Sequence, residues 1–173
     1  AARPTHPLGK CIATTSLLAY IITSKYADGL PLYRLNNMLA RLGHEIGRNT
    51  MANWVIRLDE VFHPLIKLAR EQQNQGNYIQ ADETPVTVLK DKDHPAWSHK
   101  GYMWVYNNTE GWVYKYGSRA GEHVKSELDD YQDYVQSDAY AGYDILFGKD
   151  SHRINVGCWA HARRKYIDVT KSD

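Results

Sequence analysis

The feature that most constrains this chain is a change of hydrophobic period at Tyr78: before it apolar residues recur every three or four positions, and after it they alternate. Leu17, Leu18, Ile21 and Ile22 make one stripe within Ala13 to Tyr26, which predicts a helix broken by Asp28-Gly29-Leu30-Pro31. Leu32, Leu35, Leu39 and Leu42 make a second, ending at Gly43, a residue suited to a helix C-terminus. Asn49 or Thr50 can cap a third helix that turns Met51, Trp54, Val55 and Leu58 inward. Pro64 opens or kinks one more helix, which fades into the polar run Glu71 to Asn77.

From Tyr78 to Leu89 the alternation predicts a strand, and Lys90 to His99 a charged loop. Gly101 to Tyr106 and Gly111 to Tyr116 read as an aromatic hairpin around Asn107-Asn108-Thr109-Glu110. A helix with an acidic face follows over Glu122 to Tyr131, then a strand at Tyr134 to Ser137 and a short helical segment at Ala141 to Phe147. Ile154 to Cys158 reads as a last strand leading into the basic helix Ala160 to Tyr166. A three-stranded antiparallel meander followed by crossovers to parallel strands predicts an α/β domain, with a mixed five-stranded sheet and flanking helices. That order resembles a ribonuclease H-like domain. The expected organisation is a linker over 1–11, an all-helical arm over 12–77 with a helix-turn-helix candidate, and a C-terminally incomplete catalytic domain over 78–173.

Composition sets limits on function. With 43% hydrophobic and 12% aromatic residues among 173, disorder over most of the length is excluded. Lys and Arg number 21 against 20 Asp and Glu, so the net charge of +1 gives no general attraction to nucleic acid. Any basic surface must be local. Cys11 and Cys158 cannot build a disulfide framework and suit a reducing, cytoplasmic setting. The apolar run Leu17 to Thr23 is far short of the roughly 20 residues of a membrane span. It is followed by Ser24-Lys25-Tyr26 instead of a small-residue cleavage site, so neither membrane nor targeting segment is expected.

Two carboxylates carry the chemistry in this reading. The resemblance to a ribonuclease H-like domain implies a first-strand carboxylate beside one at the end of the fourth strand, and Asp82 and Asp138 fall in those two positions. Phosphodiester cleavage is served by two divalent cations about 4 Å apart, and hard cations such as Mg2+ or Mn2+ prefer carboxylate oxygen. A charge at Asp82, within an apolar or neutral strand, is costly unless a cation compensates it. Glu83 should point to the opposite face, as a helper or a surface group. The bland alternative is an ordinary strand-edge carboxylate. Cys158 and His161 have a zinc-like spacing, but a closed zinc site needs four ligands; a structural Cys with His161 beside the active site is the competing reading.

For DNA, His161, Arg163, Arg164 and Lys165 could neutralise phosphates or form a solvated helix face. Arg48, Asn49, Thr50 and Arg57 surround the proposed recognition helix and could reach phosphates or base edges, unless the hairpin is only a packing unit. Tyr102, Trp104, Tyr106, Trp112, Tyr114 and Tyr116 offer either stacking platforms for bases or plain sheet packing.

Four segments in order carry a family resemblance: Ala81-Asp82-Glu83-Thr84-Pro85-Val86, Lys100-Gly101-Tyr102-Met103-Trp104-Val105-Tyr106, Ser137-Asp138-Ala139-Tyr140-Ala141-Gly142-Tyr143 and Gly157-Cys158-Trp159-Ala160-His161-Ala162-Arg163-Arg164-Lys165. With Ser24-Lys25-Tyr26, Leu30-Pro31-Leu32-Tyr33-Arg34 and Trp54-Val55 in the arm, nearly the whole chain resembles the transposases of insertion sequence family 66. The resemblance implies a bacterial DNA transposase with an Asp-Asp-Glu metal triad on a ribonuclease H-like fold, in which Asp82 and Asp138 match the first two acids. It further implies DNA partners at element ends and target, a homo-oligomer, and accessory proteins of the same element. The family usually has Gly where this chain has Ala139, a change that would tighten the turn beside the second acid. The third acid lies further downstream in the family, beyond a helical insertion. After Lys165 only Asp168 and Asp173 remain, neither in a matching context. The expectation is therefore a central portion of a transposase, inactive by itself. The alternatives are a catalytically inactive DNA-binding relic and a ribonuclease H-like nuclease without strand transfer.

Overall fold

Thr14 starts the first helix: its hydroxyl accepts the Leu17 N–H at 3.2 Å, satisfying one of the amides left over at a helix start. The computed structural model describes residues 5–90 and 97–171. They fall into two compact units, Ala1–Ile66 and Lys67–Asp173.

In the first unit, α1 (Thr15–Ile22) runs into a π-helical turn at Thr23–Ala27, and α2 spans Leu32–Arg41. Leu18, Ile21, Leu35 and Leu39 of the predicted stripes are buried, whereas Leu42, just past the end of α2, is 73% exposed. After α2 the His44 N–H donates to the Leu39 carbonyl (2.9 Å) and the Gly43 N–H to Ala40 (3.0 Å). This paired closure requires a left-handed residue, supplied by Gly43 at φ +84°. Residues 5–14 hold no helix or strand, yet Leu8 is buried in the core and the His6 ring bonds the carbonyls of Leu8 and Ala13.

α3 extends from Arg48 to Asn74 and buries Met51, Trp54 and Leu58 as expected. Its start and interior differ from expectation. The Met51 N–H donates to Gly47, so Asn49 and Thr50 lie within the first turn and do not cap it. Asn36 holds the Ile46 carbonyl at 2.7 Å, which fixes the turn and brings the helix start forward. Pro64 lies inside the same helix and opens no new one. A proline ring deletes one backbone bond, but the following Leu65 to Arg70 is rich in strong helix formers that carry the helix on.

The second unit is built on a sheet of order β3-β2-β1-β4-β5, from β1 (Tyr78–Val88), β2 (His99–Asn108), β3 (Gly111–Gly117), β4 (Tyr134–Ser137) and β5 (Ile154–Gly157). β1 to β3 are antiparallel neighbours, while β4 and β5 run parallel to β1. This is the predicted mixed α/β sheet, and its order is compatible with a ribonuclease H-like fold. Of the expected charged loop, residues 91–96 lie outside the described residues, as do Asp173 and the first four residues.

One face of the sheet carries the core. Ile79 and Ala81 of β1, Trp104 and Tyr106 of β2 and Val135 of β4 pack against α4 (Gly121–Glu127) and a 3-10 turn (Ala141–Leu146) through Val124, Leu128, Tyr143 and Leu146. Trp104 and Tyr106 are therefore packing residues, whereas Trp112, Tyr114 and Tyr116 are exposed on the opposite face. α4 is shorter than predicted because Arg153 takes the Leu128 and Asp129 carbonyls, at 2.8 and 2.7 Å. Its acidic Glu127 is no solvated charge either, since it pairs with Arg70 and Lys115. Gly121 enters α4 so close to the 3-10 turn that a Cβ there would lie 2.6 Å from the Gly142 carbonyl oxygen. The closing helix, α5 (Trp159–Thr170), starts directly after β5.

Candidate functional site

A ladder of side-chain amides fixes the register of the central strands. Asn107 donates to Gln80 (3.0 Å), Gln80 donates to Gln136 (2.8 Å), and Tyr78 also donates to Gln136. Gln80 lies opposite Gln136 in the parallel β1–β4 pairing. The pairing ends there, two residues short of Asp82 on β1 and of Asp138, which directly follows the last residue of β4; alternation along β1 puts Asp82 on the face of the ladder. Each carboxylate is oriented by a backbone N–H: Asp82 Oδ1 accepts from Glu83 at 3.0 Å and Asp138 Oδ1 from Tyr140 at 2.9 Å. Ala139, between Asp138 and Tyr140, is exposed, and its backbone is not among the positive-φ positions, so the turn accepts its methyl group without strain.

α5 delivers the third group. The Cys158 N–H donates to Ser137 at 3.1 Å, tying the helix start to the end of β4. One turn on, His161 Nε2 stands 3.9 Å from Asp82 Oδ1 and accepts from Arg164 at 3.0 Å. A cleft of about 1010 Å³ opens here, lined by Arg119, Asp138, Tyr140, Asn155, Cys158, His161 and Lys165 among others. His161 and Lys165, four apart on one helix, both reach it. Arg163 faces elsewhere, beside Trp159 and Tyr166 in a smaller apolar hollow. The basic run is thus divided between two sides of α5.

Glu83 corrects the expectation of a surface group. It does point away from Asp82, but its side chain is only 3% exposed. Arg119 donates to its Oε1 from Nε (3.0 Å) and Nη2 (2.9 Å), and the Tyr143 hydroxyl donates to Oε2 at 2.9 Å. Burial, and next the Glu83 charge, push the Tyr143 phenol far above its ordinary value, so it remains a donor. The hydrogen bond to Glu83 likewise raises the Arg119 guanidinium. Arg119 stacks over Tyr140, 4.0 Å from the ring centroid, with Tyr102 5.5 Å away. Sequence reasoning missed Arg119, and its only signal was a basic residue in the short link between β3 and α4.

The remaining candidates lie in the other unit. Arg48, Asn49 and Thr50 are exposed in the first turn of α3, and exposed Arg57 donates to the Gly9 carbonyl at 2.6 Å. Cys158 is a free thiol, half-buried at the cleft, and Cys11 packs on the core of the first unit. Among the described residues no three His, Cys, Asp or Glu side chains gather in a metal-binding group, so Cys158 and His161 have no closed zinc shell there. Nor is any helix among them long and apolar enough to cross a membrane.

The sheet order defines a domain compatible with the ribonuclease H-like class. Residues 10–173 match the model of the Transposase IS66 family, and the chain belongs to that family. It is similar to three proteins of Sinorhizobium fredii (strain NBRC 101917 / NGR234), each described as uncharacterized. It is 31% identical to y4qI over 98% of this chain and 34% of that protein. The identity to y4jD is 29%, over 92% of the chain and 34% of that relative. To y4hP it is 23%, over 96% and 32%. The chain spans about a third of the length of these curated relatives.

Proposed function

We propose that this chain is the portion of a bacterial DNA transposase that carries the first two acids of an Asp-Asp-Glu active site. The observation that carries the reading is the parallel β1–β4 pairing, whose continuation past Gln80 and Gln136 would bring Asp82 level with Asp138, a residue that lines an open cleft. Two carboxylates on one face form a hard-oxygen donor set suited to Mg2+ or Mn2+, which bind through one or two carboxylates and keep much of their water. Asp82 and Asp138 would hold the ions of a two-metal site. Bound there, the ions supply Lewis acidity toward phosphate oxygen and a more acidic water.

The chain's own groups do the rest. The backbone amides of Glu83 and Tyr140 aim the two carboxylates. His161, Arg164 and Lys165 offset the negative charge that DNA brings to a cleft lined by Asp138, with Asp82 3.9 Å from His161. In the overall reaction water adds across a phosphodiester at the element end and frees a 3′ hydroxyl. That hydroxyl then displaces a 3′ oxygen of the target strand. Arg48, Asn49, Thr50 and Arg57 serve as DNA contacts of a helix-turn-helix formed by α2 and α3, in an arm over 12–77 that precedes the catalytic domain. A homo-oligomer, accessory proteins of the element and a cytoplasmic location complete the proposal.

One observation favours the second reading, a DNA-binding piece without chemistry: among the described residues no third carboxylate joins Asp82 and Asp138. The 173-residue chain is thus expected to bind DNA with little or no strand transfer. A Mg2+-dependent assay on element-end DNA tests this, and full strand transfer by these residues alone would contradict it.

A further inference from the structure

The buried pair of Glu83 and Arg119 is an unusual one. A carboxylate in a core needs a partner that compensates its charge. Glu83 is enclosed at 3% exposure, yet the Arg119 side chain is 44% exposed and lines the same cleft as Asp138, His161 and Lys165. Glu83 engages Nε and Nη2, and among the described residues nothing bonds Nη1. The Tyr140 and Tyr102 rings bound the guanidinium, and the Tyr140 hydroxyl donates to the Arg119 carbonyl at 2.8 Å. Both the side chain and the backbone of Arg119 are therefore held in place.

We propose that Arg119 is a phosphate-binding residue of the cleft, held in position by buried Glu83 and the Tyr140 ring. Resting on the DNA reading above, this adds a contact from the β3–α4 link to those from α5. A planar guanidinium is suited to phosphate oxygens, and one fixed in advance loses little further freedom on binding. The Asp138 carboxylate of the cleft repels a DNA strand, so a fixed cation lining the same cleft has an electrostatic task besides balancing Glu83. Glu83 and Tyr143 are then positioning residues, since neither touches the ligand.

The test is binding of the 173-residue chain to a short duplex oligonucleotide in EDTA, with affinity measured against salt. One phosphate contact contributes about 0.9 to the salt slope. Between about 50 and 200 mM salt, the wild type should lose about 3.5-fold more affinity than Arg119→Ala, the factor that slope difference gives. Arg119→Lys should keep the slope and bind more weakly, and Tyr143→Phe, which keeps the ring and removes only the hydroxyl that bonds Glu83, should keep the slope. Because Arg119→Ala strands a buried carboxylate, the double variant Glu83→Gln/Arg119→Gln removes both charges together and is checked for cooperative melting. A lowered slope in the folded double variant supports the proposal. A wild-type slope there makes Arg119 only the counterion of Glu83 and overturns it. Absence of DNA binding by the wild type would instead overturn the DNA reading, and this proposal with it.

Discussion

His161 Nε2 stands 3.9 Å from Asp82 Oδ1, so the first turn of α5 meets the middle of β1 at the carboxylate site. This contact is polar and half-exposed, with Asp82 at 50% side-chain exposure, so the fold does not lean on the Asp82 charge. In the full-length protein, Asp82→Asn should reduce DNA cleavage below detection while leaving the melting temperature and DNA affinity near wild type. A large loss of melting temperature would make Asp82 a structural residue.

The division of the basic run on α5 separates two lysine and arginine substitutions. Lys165 reaches the cleft and Arg163 does not. Lys165→Ala should lower the salt slope of DNA binding by about 0.9, whereas Arg163→Ala should leave it unchanged. Titrations of both variants at several salt concentrations decide the matter.

Gly121 should tolerate no side chain. Its Cβ would sit 2.6 Å from a backbone oxygen of the 3-10 turn that follows Asp138, and backbone cannot move aside as a flexible side chain can. Gly121→Ala is expected to cost about 1–3 kcal/mol, read from denaturant melts. By contrast Gly148→Ala, where an added Cβ meets nothing within 4 Å, should stay near wild type.

His123 gives the second unit a pH response. Its ring packs 5.3 Å from Trp104, and burial lowers its pKa below the ordinary 6.5, although nearby Glu127 opposes the shift. The folded state therefore resists a proton that the unfolded state accepts. The His123 contribution is fully present above pH 6.5 and is lost as pH falls through the lowered folded value. His123→Phe, which keeps a ring against Trp104, should flatten the fall in melting temperature between about pH 7 and 5 relative to wild type. Parallel curves would exclude His123 as the source.

Much of this was legible from residue order because the signals were local. Alternation around Asp82 and the turn chemistry of Asn107 to Glu110 fix β1 and the hairpin, and Gly43 marks the end of α2. What escaped depends on partners far along the chain. Nothing near Glu83 announces Arg119 or Tyr143, so alternation correctly turns this acid away from Asp82 but leaves a helper and a surface group as equal readings and gives no sign of its burial. Pro64 misled for a related reason. A breaker is judged by its neighbours in sequence, but the helix continues because the residues beyond it favour helix strongly enough to outweigh one lost bond.

The parallel pairing of β1, β4 and β5 also has a consequence in time. The antiparallel hairpin can close quickly around its short turn, whereas bringing Asp82, Asp138 and His161 together requires loops that span most of the second unit. Contacts of such separation are the slow ones in folding. On a ribosome Asp82 emerges long before the segment bearing Asp138 and His161, so the nascent chain holds an isolated aspartate and no paired site. The cleft itself is complete only after the last parallel strand has docked.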